Sequence, residues 1–285
     1  MQADVADGVL SDVLTAPAVG LGTAACAVAG SVWMAGLLIA RARRGEPLVR
    51  AGASTPVTWD GMDVLWIVVV AILLQSVAAS FGPRPLPVDR QLVSGMAATA
   101  GAAALAVVHL RRRGASWPAL GLHVDDWQAV ACQAVGTVAL VLAPLLALAA
   151  ILDRIVPYRH PIVEFLATHR DATSIALVWL AATVVAPIVE EFFFRRVLQG
   201  WLETWLSGRG AAAAAGGLAI GGSAFAFALA HLGQGLAWMP LVGLGVVLGW
   251  LARQTGSIVP GILAHALFNA VSVVLVLLQE PSSAG

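Results

Sequence analysis

Apolar residues run through this chain in long blocks broken by short polar stretches. A helix needs about 20 mostly apolar residues to cross a bilayer. Eight blocks approach that length, roughly 18–40, 63–82, 91–110, 129–152, 173–194, 211–232, 236–252 and 257–279. The seventh is short. The pattern predicts an all-α fold, a polytopic transmembrane helical bundle of about eight spans. Between spans, Ala115 to Asp126 carries Trp117-Pro118 and then Leu120, Leu122 and Val124, and reads either as a short segment along the interface or as an ordinary connection. Asp153 to Asp171 reads as an outer loop with a short helix, holding Tyr158, His160, Pro161, Glu164 and His169.

Composition agrees with a membrane setting. Of 285 residues, 59% are apolar and 11% charged, against roughly 25% charged in soluble domains. The net charge is zero, which gives no reason to expect nucleic acid as a partner. All 16 basic residues are arginine. With eight spans, one side holds 11 of them (Arg41, Arg43, Arg44, Arg50, Arg111, Arg112, Arg113, Arg195, Arg196, Arg209, Arg253) and the other 5 (Arg84, Arg90, Arg154, Arg159, Arg170). The positive-inside rule then places both termini outside, and an odd number of spans would reverse half of this assignment. Trp59, Trp66, Trp117, Trp127 and Trp238 fall near span ends, as an interfacial belt requires. Cys26 and Cys132 read as small core residues. Met1 to Asp12 carries Asp4, Asp7 and Asp12 and no basic region, unlike a removable signal peptide. Gly217-x-x-x-Gly221 and Gly245-x-x-x-Gly249 would let helices approach closely.

Ionisable groups inside a bilayer are costly and so mark function. The first four spans hold few; Asp63 and His109 sit near span ends, and Gln75 and Gln133 read as neutral ties between helices. The second half concentrates Glu190, Glu191, Arg195, Arg196, His231, His265 and Asn269. Adjacent residues on a helix point about 100° apart, so Glu190 and Glu191 cannot share one role. Glu191 and Arg195 stand at i and i+4 with the acid first, the favoured ion-pair order. That leaves Glu190 without a local basic partner and free to act as a base. Pro187 bends the helix just before it. Phe227 lies one turn before His231, and His265 and Asn269 share a helix face. Such a pair in hydrocarbon requires polar company.

Other chemistries lack their motifs. There is no His-Glu-x-x-His, no span with a central Asp, and no Gly-x-Ser-x-Gly elbow. Ser223 reads as a packing residue. What remains is Glu-Glu-x-x-x-Arg (Glu190, Glu191, Arg195), Phe-x-x-x-His (Phe227, His231) and His-x-x-x-Asn (His265, Asn269), in that order. This set resembles the CAAX protease and bacteriocin-processing family, the type II CAAX prenyl endopeptidase-like intramembrane proteases. The resemblance covers about residues 160–280, with Arg196 standing where many relatives carry Gly.

The resemblance divides the chain into N-terminal helices and a cytoplasmic connection, 1–128, and a protease-like helical core, 129–285, within one membrane domain. It implies an endopeptidase acting on membrane-embedded or membrane-anchored peptide or protein substrates in the lipid bilayer. In it Glu190 would activate water, His231 would orient that water or shuttle its proton, and His265 and Asn269 would stabilise the oxyanion. Glu191, Arg195 and Phe227 would support them. No cofactor is favoured; a zinc site of Glu190, His231 and His265 is the chemical alternative. A catalytically silent scaffold and a proton-coupled transporter are the other readings. The alanine- and arginine-rich, lysine-free composition suggests a bacterial inner membrane. Straight spans would put Glu190 near one membrane face and His231 near the other, so either the Glu190 helix continues past Arg196 or the sixth span starts deeper.

Overall fold

The computed structural model describes residues 19–46, 57–80, 88–157 and 161–278. Asp4, Asp7, Asp12, Arg50, Arg84, Tyr158, Arg159 and His160 lie outside the described residues. Within them the chain is helical: α1 (Val19–Arg43), α2 (Gly61–Ser80), α3 (Val88–Arg112), α4 (Trp127–Asp153), the short α5 (Pro161–Thr168), α6 (Ala172–Ser207), α7 (Ala212–Leu229), α8 (Trp238–Thr255) and α9 (Val259–Leu277). Seven of these are long and apolar enough to cross a membrane. The predicted seventh span is present as α8, but its polar end around Arg253 keeps it out of that set.

Caps fix where helices begin. The Asp126 carboxylate accepts from Gln128 N at 2.9 Å and Ala129 N at 3.1 Å to open α4. Asp171 does the same for α6, accepting from Thr173 N and Ser174 N at 3.1 Å and from Ser174 Oγ at 2.6 Å. Each cap satisfies amides that the first turn leaves without partners.

The fifth predicted span, 173–194, extends as one helix of 36 residues to Ser207. At ~1.5 Å per residue it is longer than the ~30 Å hydrocarbon core, and Glu190 falls near its middle. Arg195 and Arg196 are therefore helix residues, not loop residues, and drop out of the arginine tally that favoured one face. Two wide π-helical stretches, Ala181–Val185 and Glu191–Leu198, bracket a short α-helical stretch, Ala186–Glu190. Pro187 explains the first: it has no N–H to give, and its ring pushes on the preceding turn. Ala186 N accordingly bonds Ala181 O instead of Ala182 O, and the Ala182 carbonyl is left free.

The Ala115–Asp126 connection is packed into the molecule. A 3-10 turn, Pro118–Leu120, buries Ala119 and Leu120 beside α6 and α9. Ile258 N and Ser257 Oγ donate to Gly121 O at 2.9 and 3.0 Å, and Arg196 Nε donates to Ala119 O. Gly121 has φ +74°, a conformation costly for any side chain. Trp59 is also interior rather than interfacial: its indole N–H donates to Val197 O at 3.0 Å, and the Arg196 guanidinium lies over its ring. Cys26 and Cys132, predicted in the core, are exposed on the bundle surface. In a membrane the outside of a bundle is as apolar as its inside, so apolar neighbours do not imply burial. Among the N-terminal helices, His109 Nε2 meets Asp63 Oδ1 at 2.7 Å and Gln75 donates to Thr99 at 2.6 Å, tying α2 to α3.

α7 packs on α8 and on the tail of α6, and α9 packs on α4 and α8. The two glycine pairs behave differently. A Cβ on Gly245 would stand 2.9 Å from Ala224 Cβ, and one on Gly249 would stand 2.6 Å from Gln199 Oε1. At Gly217 and Gly221 it would meet nothing within 4 Å. Gly245→Val should therefore lower the melting temperature in detergent by overpacking, at a cost of about 1–3 kcal/mol. Gly217→Val should leave it nearly unchanged.

Candidate active site

The site begins with an ion pair. Arg195 Nε donates to Glu191 Oε2 at 3.1 Å, and neither side chain has any exposed surface. One helical turn separates them, so α6 itself sets the pairing. Burying two charges is costly unless their remaining hydrogen-bonding positions are used, and one of them, Arg195 Nη2, has no hydrogen-bond partner among the described residues. Arg195 Nη1 donates to Ser223 Oγ at 3.3 Å, and Ser223 Oγ donates to Phe194 O at 2.6 Å. The guanidinium also lies 4.8 Å from the centre of the Phe227 ring. On the other side, the second Glu191 oxygen lies 3.1 Å from His265 Nδ1.

Glu190 has no basic partner one turn away on α6, and its neighbour comes from α9. His265 stands between the two carboxylates: its Nε2 is 3.7 Å from Glu190 Oε2 while its Nδ1 faces Glu191. One imidazole thus bridges two adjacent glutamates that point apart. About a quarter of the Glu190 side chain is exposed, against none of Glu191. The two carboxylates differ in access, not only in partner.

His231 follows the end of α7 and is half-buried. Its Nδ1 lies 2.9 Å from Phe227 O. A carbonyl only accepts, so Nδ1 carries the hydrogen and Nε2 keeps its lone pair in the neutral ring. Phe227 is fully buried, edge-on to His231 at 5.0 Å and to His265 at 5.8 Å between ring centroids. Asn269 Nδ2 donates to Ala182 O at 2.8 Å, the carbonyl freed by the wide turn before Pro187. That bond fixes the amide and uses one of its two N–H groups.

The structure thus brings Glu190, Glu191, Arg195, Phe227 and His265 into one contiguous cluster. His231 joins it through Phe227, and Asn269 flanks it along α9. Continuation of α6 past Arg196 removes the depth conflict between Glu190 and His231. Ser223, read from sequence as packing, is the residue the motifs miss. A hydroxyl in a run of Gly, Ala and Phe has to be satisfied somewhere, and that was its only signal. Among the described residues no group of three or more His, Cys, Asp and Glu is disposed to hold a metal ion.

Fold and site define a polytopic helical membrane protein with a polar, partly accessible carboxylate–histidine centre. Residues 172–271 match the family model described as Type II CAAX prenyl endopeptidase Rce1-like. The match spans about a third of the chain and contains every motif residue from Glu190 to Asn269. No curated protein and no solved structure matches the chain.

Arg195→Met should destabilise the protein by about 3–5 kcal/mol, because Glu191 is then buried without its partner. Adding Glu191→Gln should recover part of that loss. Thermal melts of the single and double variants in detergent check both.

Proposed function

We propose that the protein is an intramembrane endopeptidase in which Glu190 activates water for attack on a peptide bond. The observation that carries this reading is the asymmetry of the adjacent carboxylates. Glu191 is sealed and paired, whereas Glu190 has an open face beside His265.

Glu190 takes a proton from water as the water oxygen bonds to the substrate carbonyl carbon. His231, with Nε2 free to accept, orients that water. Two carboxylates against one guanidinium leave the cluster one proton short of neutrality, and a net charge there is costly. That proton on His265 gives its ring two N–H groups, one for Glu191 and one for the developing oxyanion. The unused N–H of Asn269 supplies a second donor, held in direction by Ala182 O. When the tetrahedral species collapses, the C–N bond breaks and the proton on Glu190 passes to the leaving amine. Water is consumed and a carboxylate and an amine are released, with no metal step required.

The substrates fitting this setting are membrane-embedded or membrane-anchored peptides and proteins. The lysine-free, alanine- and arginine-rich composition supports a bacterial inner-membrane location.

Purified wild type and Glu190→Gln should be compared on membrane-anchored peptides in liposomes. Loss of the base should cut cleavage by roughly 10²- to 10⁴-fold, while melting temperature stays close to wild type. A chelator should leave wild-type cleavage intact. Equal cleavage by the two proteins would remove Glu190 from the chemistry, and chelator-sensitive cleavage would turn the reading toward a metal-dependent enzyme.

A further inference from the structure

A cavity lies away from the site, on the arginine-rich side of the bundle. It has a volume of about 1000 Å³ and is lined by α1, α4, α7 and α8. None of Glu190, His231, His265 and Asn269 lines it.

Its two ends differ in chemistry. Arg41, Arg44 and Glu46 form one end, where α1 finishes. Met34 on α1, Leu140 on α4, Gly221 on α7 and Val246 on α8 mark the other. From Met34 to Arg44 is ten residues, or about 15 Å at ~1.5 Å per residue. That is half of a ~30 Å hydrocarbon core, the depth of one leaflet. The cavity floor is smooth, because Gly217 and Gly221 have no atom over them within 4 Å. These small residues leave room that no described helix fills.

The polar end carries unbalanced charge. Glu46 accepts from Arg44 Nε at 2.6 Å and Nη2 at 3.2 Å, and Arg41 Nε stands 3.6 Å from the same carboxylate. Among the described residues two guanidiniums share one carboxylate, which leaves a net charge of one and further N–H donors at the mouth. Exposed Arg43 adds to the same field. A phosphodiester carries one negative charge and accepts from several donors at once.

We propose that this cavity is a binding site for one anionic glycerophospholipid. Its phosphate sits at Arg41 and Arg44, and an acyl chain lies along the Gly217–Gly221 floor. An apolar slot of single-leaflet depth with cations at the headgroup level fits that ligand at both ends. A transmembrane helix would have to continue past the apolar end, where the lining stops about halfway across the hydrocarbon core, and a zwitterionic lipid would leave the mouth charge unmatched. The site is separate from the proposed catalytic centre and does not depend on it.

Native mass spectrometry of the full chain in detergent tests this. The probes are phosphatidylglycerol and phosphatidylcholine with identical acyl chains. Wild type should retain phosphatidylglycerol in preference to phosphatidylcholine. Arg41→Gln with Arg44→Gln should lose roughly tenfold in that preference. Gly221→Leu, which fills the open floor, should lose the tightest-bound lipid altogether while melting like wild type. Arg209→Gln, basic but outside the cavity, should bind as wild type does. Equal retention of the two lipids by wild type would overturn the proposal. So would unchanged lipid retention in Gly221→Leu. A dimer that Gly221→Leu dissociates would assign the cavity to a second copy instead.

Discussion

The buried pair Glu191–Arg195 is the interaction on which the centre of this molecule depends. It places two opposite charges where no surface water reaches, so each further contact must be an internal one. Ser223 and Phe227 approach from α7, and His265 from α9. The pair therefore recruits three helices into one arrangement. Removing it would cost more than one ion pair, because the same groups aim the His265 ring at Glu190.

Much of this is legible in the sequence. Long apolar blocks define the helices, and the i, i+4 spacing of Glu191 and Arg195 sets their pairing. The spacing of His265 and Asn269 puts both on one face of α9. The failures have a common physical source. Hydropathy reports whether a segment suits an apolar setting, not whether it faces lipid or protein. It misplaces Cys26, Cys132 and Trp59 for that reason. It also ends the fifth span too early, because Arg195 and Arg196 resemble a loop when read alone. Their charges are met by Glu191, the Ala119 carbonyl and the Trp59 ring, none visible from local hydropathy.

The bridging position of His265 is not legible either. Sequence spacing covers partners within one helix, and His265 meets the glutamates across α6 and α9. The same holds for Ser223, whose partners are an arginine and a carbonyl on another helix. Motifs name the residues; the wide turns of α6 decide which way they point.

Those wide turns make the geometry of the centre a property of the assembly. Ala182 O is taken by Asn269, and Phe194 O by Ser223. Both are side chains of other helices. A peptide covering Ala172–Ser207 alone would lack both partners. It would keep the wide turn that Pro187 imposes but would be free to tighten Glu191–Leu198 toward a regular α-helix, rotating the residues beyond it by about 100° relative to Glu190. The register between Glu190 and the residues that follow it is borrowed from neighbouring helices, so it can form only after they have come together.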